Sequence, residues 1–399
     1  MKKIEYLDKL REKLEAFGKE LQEEILEDYR EHFAEGEKQG KSEEEIIDEL
    51  GNIEDMIQEM IQDLPESDAE GVSWEEAPEK SFTYSEAFKE VVLKAGVAKV
   101  MVSQSEDDQL HVNYENKGNL SSQMKYEFCQ RQENGIYYAE VKRREDVEDS
   151  KEEGDELIKL KLFGRTIISY GNASNFGKDN HSIVLTVKLP KGMPKLNTTV
   201  SSGDICLSKL SLEEFKSTSA SGDVNITEAE IDSSEVHTAS GDVNVNGGEF
   251  HKGKFTTASG NIVVNSARIS SGSLTTASGN ISVKEGSTGE VKYATASGNI
   301  VLNTNGDEYE CGTASGNIKV KAIGTPKKAS MNTASGNIQF SLEDATGVEA
   351  TVRTISGNAK IAWKDETRIT AKKGTFRYGD GACKVNMKSV SGNINVQCV

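Results

Sequence analysis

Thr257-Ala258-Ser259-Gly260-Asn261-Ile262-Val263-Val264 is the stretch that decides the fold, because the chain keeps repeating it. Its Ser-Gly-Asn or Ser-Gly-Asp centre returns with the glycine at Gly203, Gly222, Gly241, Gly260, Gly279, Gly298, Gly316, Gly336, Gly357 and Gly392. The steps between glycines are 19, 19, 19, 19, 19, 18, 20, 21 and 35 residues. Such a period is too short for helix-pair repeats of ~34–47 residues or propeller blades of ~40–45, and the framework of a leucine-rich repeat is absent. What remains is a single-stranded β-solenoid (β-helix) with one ~19-residue coil per copy, stacking like residues on like.

The residues around the tripeptide fit that reading. Gly and Asn tolerate positive φ, so each copy is expected to be the corner at which a coil turns. After the corner, Ile262 and Val264, Ile281 and Val283, Ile300 and Leu302, Ile318 and Val320, and Ile338 and Phe340 alternate with other residues. Alternation predicts that these face inward, and that Val263, Ser282, Val301, Lys319 and Gln339 face outward. With strands ~4.8 Å apart, about ten coils make a rod on the order of 50 Å long.

Stacking also gives the third residue of the tripeptide a meaning. Asn261, Asn280, Asn299, Asn317, Asn337 and Asn358 would lie above one another, their amides hydrogen-bonded along the stack. Asp204, Asp223 and Asp242 take the same column at its other end. Carboxylates at that spacing repel, so this column faces water, shares protons or binds a cation. Solvated turn acids are the plain reading, because the calcium-binding nonapeptide GGxGxD is missing.

The interval from Gly357 to Gly392 contains Trp363, Tyr378-Gly379-Asp380-Gly381 and Cys383, room for an inserted hairpin or a degenerate coil. A solenoid end is an unpaired edge, which invites end-to-end self-association unless this insert or the N-terminal region covers it. Before the first copy, residues 81–200 show period-two runs such as Ile136–Val141 and Ile183–Val187, with a charged excursion over 142–154. They read as an irregular β-rich start, or cap, of the same solenoid.

The first 64 residues are different. Ile4, Leu7, Leu10, Leu14 and Phe17 mark one helical face, and Leu21, Ile25, Tyr29 and Phe33 a second, with Gly36 and Gly40 expected to break it. Ser42 with Glu45 forms a capping box for a third helix through Ile46, Ile47 and Leu50, closed by Gly51. Asn52 can cap a fourth through Ile53, Met56, Ile57 and Met60. Residues 65–80, with Pro65, Gly71, Trp74 and Pro78, read as a linker. The expected class is therefore α+β multidomain: a small helical bundle (1–64), a linker (65–80), a β-rich start (81–200) and the regular β-solenoid (201–399).

Charge narrows the partners. Residues 1–70 carry 9 Lys and Arg against 24 Asp and Glu, and the other 329 residues carry 38 against 42, within a net charge of −19. An acidic head on a nearly neutral body disfavours nucleic acid and anionic membrane surfaces, both of which need cationic partners. The cysteines Cys129, Cys206, Cys311, Cys383 and Cys398 are odd in number and scattered, as reduced thiols are. No run approaches the ~18–20 apolar residues of a membrane span, and the charged amphipathic pattern from Met1-Lys2-Lys3 onward does not read as a signal peptide. The expected setting is cytoplasmic or peripheral to a membrane.

The head resembles the HAAS family of bacterial helical signalling domains through Tyr6-Leu7, Leu10, Leu14, Tyr29-Arg30-Glu31-His32-Phe33, and Ser42-Glu43-Glu44-Glu45-Ile46-Ile47 leading to Leu50-Gly51. That resemblance implies a signalling role with a protein partner, among them PadR-like regulators and membrane signalling proteins, engaged through Tyr29, His32 and Phe33. The repeats resemble the putative-adhesin family of bacterial β-helix domains over roughly residues 88–399. Leu185-Thr186-Val187-Lys188-Leu189-Pro190, Gly381 and Ser389-Val390-Ser391-Gly392-Asn393-Ile394 extend the match beyond the copies themselves. This second resemblance implies adhesion.

No catalytic motif stands out. His111, His181, His237 and His251 are far apart, and there is no nucleophile elbow, P-loop or HExxH. One active site does not need ten copies of a serine. Neither a metal nor an organic cofactor is expected beyond the Asp204, Asp223, Asp242 column. The sequence therefore points to a non-enzymatic scaffold or signalling protein, whose head binds a protein while the solenoid offers a rigid surface. An adhesin-like or glycan-binding protein at the cell envelope is the alternative.

Overall fold

A computed structural model of the chain describes residues 2–14, 19–38, 40–51, 53, 79–117, 126–143, 158–162, 165–170, 183–343, 346–363, 366–370 and 372–398. The expected fourth helix apart from Ile53, most of the linker including Trp74, and the charged excursion beyond Arg143 lie outside these residues. The chain forms two compact units. One takes Met1–Glu79, Glu115–Glu127 and Arg143–Ile183, and the other Lys80–Tyr114, Phe128–Lys142 and Val184–Val399.

In the first unit, helices span Lys3–Leu14, Lys19–Lys38 and Glu43–Leu50. Their apolar faces meet as the spacing predicts: Tyr6, Leu10, Leu14, Ile25, Tyr29, Phe33 and Ile46 are buried. Tyr6 stacks on Tyr29 at 6.1 Å between ring centroids and meets Phe33 edge-on at 5.9 Å. Ser42 and Glu45 close the capping box, and Gly51 ends the third helix at φ 77°. Gly36, in contrast, does not break the second helix. It lies inside it because a Cβ there would meet the Ile46 side chain at 2.7 Å, so glycine lets the two helices approach. A separate antiparallel pair joins Ile158–Leu162 to Arg165–Tyr170.

The second unit is a large β-rich body whose strands pair mostly in parallel at a repeating offset. Residues 224–238 pair in parallel with 243–257, in unbroken 19-residue offset at each end. The same offset joins Glu249–Thr257 to Arg268–Thr276 and Ile262–Asn265 to Ile281–Lys284. Each coil has one strand before the Ser-Gly corner and one after it, and each strand pairs with its equivalents one period away. The alternation predicted from sequence holds: Ile262, Val264, Ile281, Val283, Ile300, Leu302, Ile318, Val320, Ile338 and Phe340 are buried. Phe215, Phe250, Phe255, Tyr293 and Tyr309 are among the largest of the other buried side chains.

The corner glycines are required for a different reason from the one the sequence suggested. None of the ten has positive φ. Each lies directly over the carbonyl of the preceding corner: a Cβ on Gly260 would sit 2.0 Å from the oxygen of Gly241, and one on Gly279 1.8 Å from that of Gly260. Close stacking of rungs, not backbone handedness, excludes every side chain there. The threonine three residues earlier completes the corner. Thr257 Oγ1 accepts from Gly260 N at 3.0 Å and donates to Gly241 O at 2.9 Å, tying one rung to the next.

Both ends of the stack depart from chain order. Residues 383–391 lie between Lys328–Ser335 and Gly347–Thr354, and Ile394–Cys398 lies between Ile338–Leu342 and Ala359–Trp363. The coil of Gly392 is thus inserted between those of Gly336 and Gly357. Beyond it, Lys373–Gly379 and Glu366–Thr370 pair antiparallel on Gly347–Thr354 and Ala359–Trp363, with Trp363 stacked on Tyr378 at 5.4 Å. Strands of the insert between Gly357 and Gly392 thus cover the last coil, one of the two alternatives left open by the sequence. At the other end, residues 90–94 and 99–104 lie between later segments, 136–140 with 184–189 on one side and 195–200 with 205–208 on the other.

Candidate functional site

In-register stacking turns every outward position into a straight column, so the surface is best taken column by column. In the corner column, the backbone N–H of each residue donates to the Oδ1 of its predecessor. The run goes from Asp223 on Asp204 (3.0 Å) through Asn261 on Asp242 (2.7 Å) to Asn393 on Asn337 (2.9 Å) and Asn358 on Asn393 (3.0 Å). Each asparagine from Asn261 to Asn337 adds an Nδ2 bond to the same oxygen, as in Asn280 to Asn261 at 3.3 Å. Aspartate has no such donor, so it can hold only the accepting end of this ladder. One oxygen of Asp204, Asp223 and Asp242 is thereby committed to backbone. Among the described residues, no group of three or more His, Cys, Asp or Glu is placed to hold a metal ion.

The strand after each corner presents two outward columns. They run from Thr186 and Lys188 at one end to Lys360 and Ala362 at the other, over twelve rungs in continuous register. None of these twenty-four positions is Asp or Glu, and five are lysine: Lys188, Lys284, Lys319, Lys321 and Lys360. Met101 and Val301 are exposed on the same face. Amides link neighbouring rungs here too, Asn244 to Asn225 and Asn265 to Asn246, each at 3.1 Å.

The acids gather elsewhere. The segment that leads from this strand to the next coil carries Glu213, Glu230, Asp232 and Glu249 around a shallow pocket of about 190 Å³. The strand before the corner mixes charges, with Lys254 on Glu235 at 2.6 Å and Lys292 on Glu310 at 3.1 Å. Hydrogen bonds from Lys254 and His237 hold the Glu235 carboxyl down at about 2. Between them, an open groove of about 810 Å³ runs beside the corner, lined by Ala239, Ala258, Ala277, Thr256 and Thr275.

Histidines that are isolated in sequence acquire carboxylate partners. His251 meets Asp232 at 3.0 Å, one period away, so adding 19 to the position of each acid would have found the pair. His111 bonds Asp107 through Nε2 (2.7 Å) and Thr83 through Nδ1 (3.0 Å). Ser105 and then His111 pull the Asp107 carboxyl down to about 2. This exposed trio resembles a hydroxyl–imidazole–carboxylate relay but sits on the open surface of strands. None of the five cysteines is in a disulfide, and burial pushes Cys383 up to about 12 and Cys398 to about 11, which makes these two poor nucleophiles.

In the head, two of the three residues expected to meet a partner are interior. Tyr29 and Phe33 are 2% and 0% exposed, packed on Tyr6, because their spacing is that of the buried face. His32 is half-buried. No helix among the described residues is long and apolar enough to cross a membrane.

A repeated, mostly β domain with a short helical head defines the class, and family comparison gives it a name. The chain belongs to the Toastrack DUF4097 family, which matches residues 88–303 and 254–397, and residues 5–59 match HAAS. Among solved structures, it is similar to a "putative adhesin" from Parabacteroides distasonis ATCC 8503 at 12% identity, covering 81% of this chain and 98% of that one, with TM-score 0.42. A "putative adhesin" from Parabacteroides merdae ATCC 43184 is also 12% identical, covering 82% and 97%, with TM-score 0.38. A "putative lipid binding protein" from the same P. distasonis strain is 16% identical, covering 80% and 96%, with TM-score 0.36. No curated protein matches the chain.

Proposed function

We propose that this is a non-enzymatic binding protein whose coils form a β-solenoid that serves as a rigid interaction surface. One observation carries this: the face after the corner keeps twenty-four outward positions free of carboxylate in a chain of net charge −19. Chance placement of the 42 acids of residues 71–399 among those 329 positions would leave about three there. A face cleared of one charge sign selects partners of that sign and excludes others. The helical head is the second module. Its partner, a PadR-like regulator or a membrane signalling protein, meets the acidic exterior rather than Tyr29 or Phe33.

A photo-cross-linkable residue at Val301 on this face, and for comparison at Lys292 on the other strand, tests the reading in cells producing the full chain. Specific adducts from position 301 alone are expected. Equal adducts from both positions, or none from 301, would remove the interaction face.

A further inference from the structure

Side chains in the corner column and on the following strand change together. On the rungs starting at Ile205, Val224 and Val243, the corner is Asp204, Asp223 or Asp242, and the outward positions carry no lysine. From the rung of Ile262 onward the corner is always asparagine. Over these seven rungs the outward positions include Lys284, Lys319, Lys321 and Lys360, and still no carboxylate. At ~4.8 Å per rung the strip is about 29 Å long.

Lys284, Lys319 and Lys360 are exposed and, among the described residues, have no ion-pair partner, while Lys321 bonds Glu343 at 2.8 Å. Around the lysines, Asn265, Ser282, Gln339, Ser341, Asn395 and Gln397 are outward in the same two columns, which also hold Val263, Val301 and Ala362, while the Oδ1 of Asn303 is buried. Two separate features thus agree: the flanking column loses its charge where the strip gains cations. Ladder bonding alone requires no lysine, and solubility alone does not require carboxylates to be withheld.

We propose that this strip binds a linear, carboxylated polysaccharide lying along the stack. Ammonium groups placed rungs apart take the carboxylates. The amides and hydroxyls between them, each able to donate and accept, take the ring hydroxyls. A repeating polymer meets a repeating surface, so weak contacts at successive rungs add into useful affinity. An acidic polypeptide would use the lysines but leave the rows of amides without hydroxyl partners. The proposal rests on reading this face as an interaction surface, and it adds the ligand's chemistry.

The test is calorimetric titration of the full-length chain with polygalacturonate, with its fully methyl-esterified form and poly-L-glutamate as comparisons. Binding to polygalacturonate should exceed binding to either comparison by about tenfold or more and weaken as salt is added. The triple variant Lys284→Gln, Lys319→Gln, Lys360→Gln should lose about tenfold with an unchanged melting temperature, since all three side chains are exposed. The triple Lys216→Gln, Lys254→Gln, Lys292→Gln, on the other strand, should stay within about twofold. No binding, equal binding of the ester or of poly-L-glutamate, or equal losses in both triples would overturn the proposal. If it fails while position 301 still cross-links specifically, the interaction face stands and only the polysaccharide is removed.

Discussion

Replacing Gly279 with alanine would place a methyl carbon 1.8 Å from the Gly260 carbonyl oxygen and 2.5 Å from its carbon. Neither atom can step aside. The two corners are held by Ser278 N to Ala258 O (3.0 Å), Asn280 N to Asn261 Oδ1 (3.0 Å) and Thr276 Oγ1 to Gly260 O (2.9 Å). Relief means moving the rungs apart by more than an ångström, which breaks two or three of these bonds at about 0.5–1.5 kcal/mol each. Overpacking strain adds about 1–3 kcal/mol, so a total near 3–5 kcal/mol is expected. Gly312, in the strand Ile300–Ser315, is the control: a Cβ there meets nothing within 4 Å. Gly312→Ala should change stability by less than about 0.5 kcal/mol. Urea unfolding followed by the β-sheet circular dichroism signal, with hydrogen exchange to locate the opening, measures both. If Gly279→Ala costs under 1 kcal/mol, or no more than Gly312→Ala, close stacking is not what selects the glycines.

Other consequences are equally measurable. Asp223→Asn adds an Nδ2 donor toward Asp204 and removes two like-charge contacts, so stability should rise by about 1–2 kcal/mol at low salt and less at high salt. Thr276→Val removes a buried hydroxyl that bonds both Gly260 O and Gly279 N, and should cost about 2–3 kcal/mol in chemical denaturation. Thr276→Ser should be nearly silent, because Ser219 and Ser389 hold the same column. The depressed Glu235 carboxyl stabilises the fold above its ordinary pKa of 4.5, and that contribution fades as pH falls toward about 2. Lys254→Met should therefore lower stability by about 0.2–1 kcal/mol near neutrality, with the difference from wild type shrinking over that acid window. Ending the chain at residue 381 removes an internal coil, and the Ile338 amide, which bonds Asn393 O at 2.9 Å, should lose its exchange protection.

The period, the inward alternation and the asparagine ladder were legible because each is a local pattern repeated many times. The glycine's true constraint was not, since a contact with the neighbouring rung leaves the same mark in sequence as a tight turn. Ser-Gly-Asn copies are interchangeable, so nothing in them records that the coil of Gly392 precedes that of Gly357 in the stack. The coil of residues 90–104 was hidden because its corner reads Ala95-Gly96-Val97-Ala98, although Ala98 O touches the Gly203 position as later corners do. The acid-free face was present in the sequence all along but becomes visible only when residues are laid out by rung. Tyr29 and Phe33 were assigned to a partner through resemblance, while their own helical spacing already placed them in the core.

The inserted coil also sets an order of events during synthesis. Rungs from Gly222 to Gly336 can be laid down one after another as the polypeptide emerges, each templated by the last. Residues 347–363 emerge next, but their place is not beside the exposed edge at that moment: residues 383–398, made later, must occupy it first. Because the corners are equivalent, the earlier segment can dock on the vacant edge in a plausible but wrong register and then has to let go. Where that happens, the last step of maturation is a displacement, and its speed depends on how weakly residues 347–379 hold the edge they reach first.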